Sequence, residues 1–235
     1  MLRAPFFEIG PKNLLRRPEL EELARAAGSA SSELGVAVIL TVPATMVAPV
    51  ADLDTGVHVF AQHLDTDPLG PSVGRVTAES LVDAGADGVM LNHDSNPLPP
   101  EELARSVERA RQVGLLTMVC AGSEDEAVQV AALRPTIVLV EPAALIGTAG
   151  NGDRPWIHPT NVAIRAVHPE ALAMHAGGVG SPSVARTIMG AGADGTGSTS
   201  GVLGSVDPSA AARSFIAAAR AGWDEHARCR AQHTA

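Results

Sequence analysis

The chain has 235 residues, of which 46% are hydrophobic and 18% are charged. This length fits one large α/β domain of roughly 200–250 residues, and the composition excludes a disordered protein. The net charge of −9 excludes a general nucleic-acid binder, which would need a basic face.

Short apolar runs alternate with helical patterns along the whole chain. Because the chain has only four Phe, two Trp and no Tyr, its core must be aliphatic, which favours a parallel sheet covered by helices. Gly195 and Gly197 weaken the strand signal of the last run. The predicted strands are Phe6–Gly10, Val36–Val42, Val57–Ala61, Gly88–Asn92, Leu115–Cys120, Thr136–Val140, Ala171–His175 and Asp194–Gly197.

The intervening segments carry helix start and stop signals. Pro18–Gly35 begins with proline and acidic residues and ends on glycine, as helices commonly do. Pro99–Val113 has glutamate early and arginine late, which suits the helix dipole. The remaining predicted helices are Ala44–Leu53, Thr77–Gly85, Ser123–Leu133, Asn161–Val167, Ser181–Ala191 and Asp207–Ala221.

Eight strands, each followed by a helical segment, predict an α/β fold of the (β/α)8 TIM-barrel type. A doubly wound sheet usually has fewer units, and no G-x-G-x-x-G motif follows the first strand. No linker or change in composition indicates a second domain. We therefore expect one barrel domain over residues 1–235, in which residues 222–235 form a polar C-terminal tail.

Cysteine usage and hydropathy predict the cellular location of the protein. Cys120 and Cys229 lie far apart without metal-type spacing, which suits a reducing cytoplasm. Residues 1–10 lack the apolar run of a signal peptide, and no stretch approaches the ~18 apolar residues of a membrane span. We expect a cytoplasmic protein that has neither a membrane nor a nucleic acid as partner.

Active sites of such barrels lie at the carboxyl ends of the strands. Lys12, His93 and Glu141 follow predicted strands 1, 4 and 6. A carboxylate can take a proton from a carbon beside a carbonyl, a neutral histidine can polarise that carbonyl, and an ammonium can balance the enediolate charge. Lys12 is the only lysine among 17 basic residues, which favours a specific role over an ordinary surface position.

Small residues follow the last two strands, at Gly177-Gly178-Val179-Gly180 and at Ser198-Thr199-Ser200-Gly201. These glycines could be simple turn residues, but adjacent loops after strands 7 and 8 are where phosphate sites recur in this fold. His63, His93 and His175 also fall near strand ends. Their spacing matches no H-x-H or H-E-x-x-H motif, so we expect no metal site.

Several segments, in this order, carry a family resemblance. They are Ala61–Asp65, Gly88–His93, Thr117–Cys120, Val140–Gly150, Ala176–Gly180 and Thr199–Val202. On these motifs the chain resembles triosephosphate isomerase, specifically the shorter archaeal-type branch, from about Phe7 to Asp207. The resemblance implies a cofactor-independent isomerase that interconverts glyceraldehyde 3-phosphate and dihydroxyacetone phosphate, in a homodimer or homotetramer.

When the family's catalytic residues are matched to this sequence by position, the resemblance implies that Lys12 is the electrostatic lysine, His93 the electrophile and Glu141 the base. Pro142–Gly150 would be a lid that closes over the substrate and excludes water. The implied substrate- and phosphate-binding residues are Gly10, Pro11, Ile146, Gly147, Gly177, Gly178, Thr199, Ser200 and Gly201.

Three supporting residues depart from the family pattern. Gly10 stands where the family has asparagine, which removes a substrate contact. Ser95 stands where it has a glutamate near the lysine, so Lys12 should be looser or repositioned, and Val73 replaces a threonine that reaches the neighbouring subunit. These departures leave two alternatives open: a divergent paralogue that isomerises another small phosphosugar, or a barrel that binds a phosphate ligand without turnover.

Overall fold

A computed structural model describes residues 2–145, 148 and 153–233. Its eight strands are all parallel, each pairs with the next along the chain, and β8 pairs with β1 to close a barrel. The predicted (β/α)8 barrel is thereby confirmed. The strands are β1 Phe6–Ile9, β2 Ala37–Val42, β3 His58–Ala61, β4 Gly88–Leu91, β5 Leu116–Ala121, β6 Ile137–Val140, β7 Leu172–His175 and β8 Gly195–Gly197.

Helices follow the strands and cover the outside of the barrel. None of the described helices is long and apolar enough to cross a membrane. They are α1 Arg17–Leu34, α2 Val47–Ala51, α3 Ala78–Asp83, α4 Pro100–Gln112, α5 Glu124–Ala131, α6 Ile157–Val167, α7 Pro182–Gly190, α8 Ser200–Leu203 and α9 Pro208–His233.

Local signals account for several helix ends. Gly35 ends α1 in the left-handed conformation, with φ of 62°, and its N–H donates to Ser31 O. The hydroxyls of Thr77 and Ser123 cap α3 and α5 by accepting the N–H groups of Ser80 and Glu126. These are the start and stop residues on which the sequence prediction of the helices depends.

The last helix differs from its prediction, because residues 222–233 continue α9 beyond the expected end at Ala221. Gly222 does not break the helix. A Cβ at this position would lie 2.1 Å from Arg186 O, so the glycine permits close approach of α9 to α7. Trp223 then packs against the hydrophobic core.

Strand residues alternate between two apolar layers. Phe7 and Ile9 of β1 belong to the layer between the strands and the helices. Phe6 belongs to the barrel interior, together with Phe60, Met118 and other side chains. Glu8, which alternates with Phe7 and Ile9, therefore also points inward.

The short strand β8 depends on glycine for packing. A Cβ on Gly195 would stand 2.3 Å from the ring of Phe6, which is fully buried. The residue that weakens the strand signal in the sequence thus makes room for the largest interior side chain of β1.

We expect Gly195→Ala to lower the free energy of unfolding by about 1–3 kcal/mol, because the added methyl overpacks the barrel interior. Gly70→Ala is a matched control, since its Cβ would meet only Pro68 O at 3.9 Å. The control should change stability by no more than about 0.5 kcal/mol. Urea unfolding measures both, and equal stability of the two variants would contradict this packing account.

Candidate active site

The carboxyl ends of the strands surround a cavity of about 380 Å³. It is lined by Lys12, His93 and Glu141, which follow three different strands, and also by Gly10 and Thr199. Barrel closure therefore brings the three predicted chemical groups to one site, although they are far apart in the sequence. We call this space the active-site cavity.

Lys12 lies in the loop after β1 with its side chain exposed and its backbone in the left-handed region, with φ of 50°. The Gln62 side chain donates to Lys12 O at 2.8 Å and to Thr41 O at 3.2 Å. This amide ties the Lys12 backbone to β2. Gln62 belongs to a segment that carries the family resemblance, but the sequence does not show which carbonyl groups it binds.

His93 follows β4 in a loop that Asn92 holds in place. Asn92 adopts a φ of 59°, donates to Cys120 O at 3.0 Å and accepts the Leu98 N–H at 3.0 Å. Asparagine tolerates this left-handed backbone better than most residues do. The loop therefore has a defined shape, which presents His93 to the active-site cavity.

The ring of His93 is held as a neutral donor. Its Nδ1 accepts the Ser95 N–H at 3.0 Å and lies 2.8 Å from Ser95 Oγ. Because a backbone N–H can only donate, the proton of the neutral ring is assigned to Nε2. Burial lowers the pKa of His93, the charge of Lys12 lowers it further, and Asp94 opposes both. Ser95, a departure from the family pattern, thus supports the tautomer that can polarise a carbonyl.

Glu141 follows β6 and extends its ladder, since its N–H donates to Ala121 O at 2.9 Å. Its side chain is half-buried. Burial raises its pKa and Asp94 adds to the rise, while Lys12, Arg154 and the Gly177 backbone lower it. A carboxylate with a raised pKa is a stronger base.

The two small-residue loops are tied to each other and to β1. Ser198 Oγ donates to Val179 O at 2.7 Å and accepts the Gly201 N–H at 3.1 Å. Thr199 Oγ1 donates to Gly10 O at 2.8 Å. These bonds fix the loop after β8 against its two neighbours.

Only some of the predicted binding residues line the active-site cavity. Gly10 and Thr199 line it, as does Ser198, which the sequence analysis did not assign to the site. Ile146 and Gly147, together with Ala149 and Gly150 of the predicted lid, lie outside the described residues. Within the described part of the chain, the remaining predicted residues are not among those that line the cavity: Pro11, Gly177, Gly178, Ser200 and Gly201.

Arg154 supports the loop after β7 and is only 4% exposed. Its guanidinium donates to Ala176 O at 2.5 Å and also to Gly177 O. Gly177 has a φ of 80°, and a Cβ there would lie 3.2 Å from Glu141 Cγ. Arg154 therefore positions the backbone against which the Glu141 side chain packs. Its acceptors are main-chain carbonyls more than 20 residues away, so no sequence motif points to it.

Glu8 is a further residue that sequence reasoning missed. It lines the cavity from inside the barrel and is 6% exposed. Burial raises its pKa to about 7; the nearby Thr41 hydroxyl and Lys12 oppose the rise, and Glu141 adds to it. The sequence could have indicated Glu8 by the alternation of β1, because Glu8 is a charged residue at an inward-facing position of that strand.

Comparisons with known proteins show which family this chain is similar to. The family model described as triosephosphate isomerase matches residues 12–205, a range that begins after Glu8 and Gly10. Triosephosphate isomerase of Metallosphaera sedula is 34% identical over 83% of this chain and 86% of its own length. That of Cenarchaeum symbiosum is 31% identical over 90% of this chain and 96% of its own length.

A solved structure shows the same fold. The crystal structure of triosephosphate isomerase from Bartonella henselae covers 91% of this chain and 99% of its own, with a TM-score of 0.72 at 20% identity. The family model and the archaeal relatives each span most of the chain. The chain therefore belongs to the triosephosphate isomerase family and is an isomerase.

Proposed function

We propose that this chain interconverts glyceraldehyde 3-phosphate and dihydroxyacetone phosphate through an enediolate. The observation that carries the proposal is the meeting of a half-buried carboxylate base, Glu141, and a neutral imidazole, His93, in one cavity with the ammonium of Lys12. This pairing of a glutamate base with a neutral histidine is the one already known for triosephosphate isomerase.

In the proposed mechanism, the Glu141 carboxylate takes a proton from the carbon beside the carbonyl group. The electron pair of that C–H bond forms the C=C bond of the enediolate, and the carbonyl oxygen becomes negative. His93 Nε2 gives its proton to this oxygen and regains one from the neighbouring hydroxyl. Glu141 then returns its proton to the former carbonyl carbon, which completes the isomerisation.

Lys12 balances the negative charge that develops during this reaction. Its charge lowers the pKa of both Glu141 and His93, which supports this role. A fixed cation beside a developing oxyanion stabilises the transition state more than the ground state. We assign phosphate binding to the loops at Gly177–Gly178 and Thr199–Gly201 through their N–H groups, together with Ile146 and Gly147.

The alternative of a larger phosphosugar is not favoured. That expectation depends on the space that Gly10 leaves where the family has asparagine. Glu8 fills this space, since its Oε1 lies 2.9 Å from the point where a Cβ on Gly10 would stand. The altered β1 thus supplies a different polar group rather than a larger opening.

We expect Glu141→Gln to lower kcat by at least about 10³-fold, because the amide cannot accept the carbon-bound proton. Glu33→Gln is the matched control, since Glu33 is on the surface, paired with Arg213 near the end of α1. A coupled assay with dihydroxyacetone phosphate measures both. Wild-type turnover that survives Glu141→Gln would overturn the role of Glu141, and absent wild-type turnover would overturn the proposed reaction.

We also infer that the chain acts in the cytoplasm as one barrel domain, assembled into a homodimer or homotetramer. Two apolar side chains in the loop after β3 favour an interface there, because Leu69 is 68% exposed and Val73 is 95% exposed. Val73 stands where the resemblance places a threonine that reaches the neighbouring subunit. An apolar side chain there can still be covered by a second copy of the chain.

Sedimentation velocity tests the assembly, and the wild type should sediment at two or four times the 24.1 kDa of one chain. Leu69→Asp combined with Val73→Asp should shift it toward the single chain, because charges would be buried in the interface. Val206→Asp is the control, since Val206 is fully exposed in the loop before α9. A monomeric wild type would contradict the assembly, and an unchanged double variant would contradict the choice of surface.

A further inference from the structure

A carboxyl group lies at the inner end of the active-site cavity, where the proposed mechanism does not use it. Glu8 is 6% exposed and lines the cavity together with Leu139 and Met174, which are apolar. Carboxyl groups are rarely buried this deeply unless they are paired. We therefore expect a hydrogen-bond or charge partner for the Glu8 carboxyl group.

Among the described residues, the Thr41 hydroxyl is close enough to Glu8 to lower its pKa, but the two groups do not form a hydrogen bond of normal geometry. Glu8 Oε1 is buried and has no hydrogen-bond partner in this part of the chain, and the same holds for Thr41 Oγ1. A buried polar atom without a hydrogen bond destabilises the folded protein, because it has lost its hydrogen bonds to water. Because Glu8 lines the active-site cavity, a ligand bound there can supply the missing hydrogen bond.

Two glycines make room for this carboxyl group. A Cβ on Gly10 would lie 2.9 Å from Glu8 Oε1, and a Cβ on Gly197 would lie 2.7 Å from Glu8 O and from Met174 Cε and 2.8 Å from Glu8 Oε2. A side chain at either position would displace the carboxyl group. Gly10 thus leaves room for the Glu8 carboxyl group, and Gly197 leaves room for both Glu8 and Met174.

The charges near Glu8 decide which protonation state it has. Glu141 repels its negative form and Lys12 attracts it. Cys120, His93 and His63 are further titratable groups close to the same space. Burial is the largest influence, and the pKa of Glu8 is about 7. Below that pH the group is neutral and carries an O–H donor, which a carboxylate lacks.

We propose that Glu8 is a substrate-contacting residue, whose protonated carboxyl group donates a hydrogen bond to a substrate oxygen at the inner end of the cavity. This role rests on the proposed isomerase function. A neutral donor stabilises the negative oxygen of an enediolate, whereas an ionised Glu8 repels it. Glu8 thereby offers a polar contact at the place where the asparagine of the family pattern is missing.

The test compares kcat/KM of the wild type, Glu8→Gln and Glu8→Ala across pH. Glutamine keeps a neutral donor at every pH, so Glu8→Gln should match the wild type within about threefold near pH 6. Because the wild-type group ionises through about pH 7, the ratio of Glu8→Gln to wild type should rise about tenfold between about pH 6 and about pH 8. Glu8→Ala should lose about five- to tenfold near pH 6, since it lacks the donor.

The substrate phosphate and Glu141 also titrate, but they do so in both the wild type and Glu8→Gln, so the ratio isolates Glu8. Identical pH profiles in the two proteins, or full activity of Glu8→Ala, would overturn the assignment while the isomerase function stands. Absence of turnover in the wild type would overturn the proposed function, and the role of Glu8 with it.

A second variant tests the fit between β1 and the carboxyl group. Gly10→Ala should lower kcat/KM by displacing the Glu8 carboxyl group, and the same change should cost much less in the Glu8→Ala background. Equal losses in both backgrounds would contradict the proposed contact. Thermal unfolding checks the fold of each variant. Because the pKa of Glu8 is raised to about 7 in the folded protein, the stability of the wild type falls as pH rises through about 7. Glu8→Gln should therefore be the more stable protein near about pH 8.

Discussion

Pairing of β1 with β8 closes the barrel, and the active-site cavity depends on that closure. The register sets Phe6 beside Gly195 and Glu8 beside Gly197, so glycines of β8 face the two inward side chains of β1. Beyond the strands, Ser198 N–H donates to Glu8 O at 3.0 Å, and Thr199 then binds Gly10 O. The first and last loops of the barrel thereby become neighbours, although nearly 190 residues separate Gly10 from Thr199 in the chain.

Burial of ionisable groups in this cavity sets their chemistry. It raises the pKa of Glu141 and of Glu8 and lowers that of His93. Each shift favours the neutral form, and Lys12 is the cation that the three groups share. The result is a base made stronger, an imidazole kept neutral and a second carboxyl group that can be protonated near neutral pH.

The fold could be predicted from the sequence because each strand is a short apolar run between clear helix signals. The observed strands agree with their predicted bounds to within one or two residues. Helix ends were harder to predict where packing overrides local signals. Thus α6 begins at Ile157 rather than Asn161, and α9 continues through Gly222 because the glycine contacts α7.

The site was predictable where side chains follow strands directly, as Lys12, His93 and Glu141 do. Arg154 and Gln62 could not be found in this way, because they bind backbone carbonyl groups of distant residues. The burial of Glu8 required the register of β1 and the two glycines that face it. The sequence shows residue types and spacing, whereas these roles depend on which atoms meet across the barrel.

The central claim is that Glu141 removes a carbon-bound proton from a triose phosphate in this cavity. Proton NMR of dihydroxyacetone phosphate in D₂O tests it directly, because a proton held by a carboxyl group exchanges with solvent before it returns. The wild-type protein should incorporate deuterium at the substrate carbon, and Glu141→Gln should abolish this incorporation. Tight binding of the substrate without any such incorporation would contradict this claim and would favour a barrel that only binds phosphate ligands.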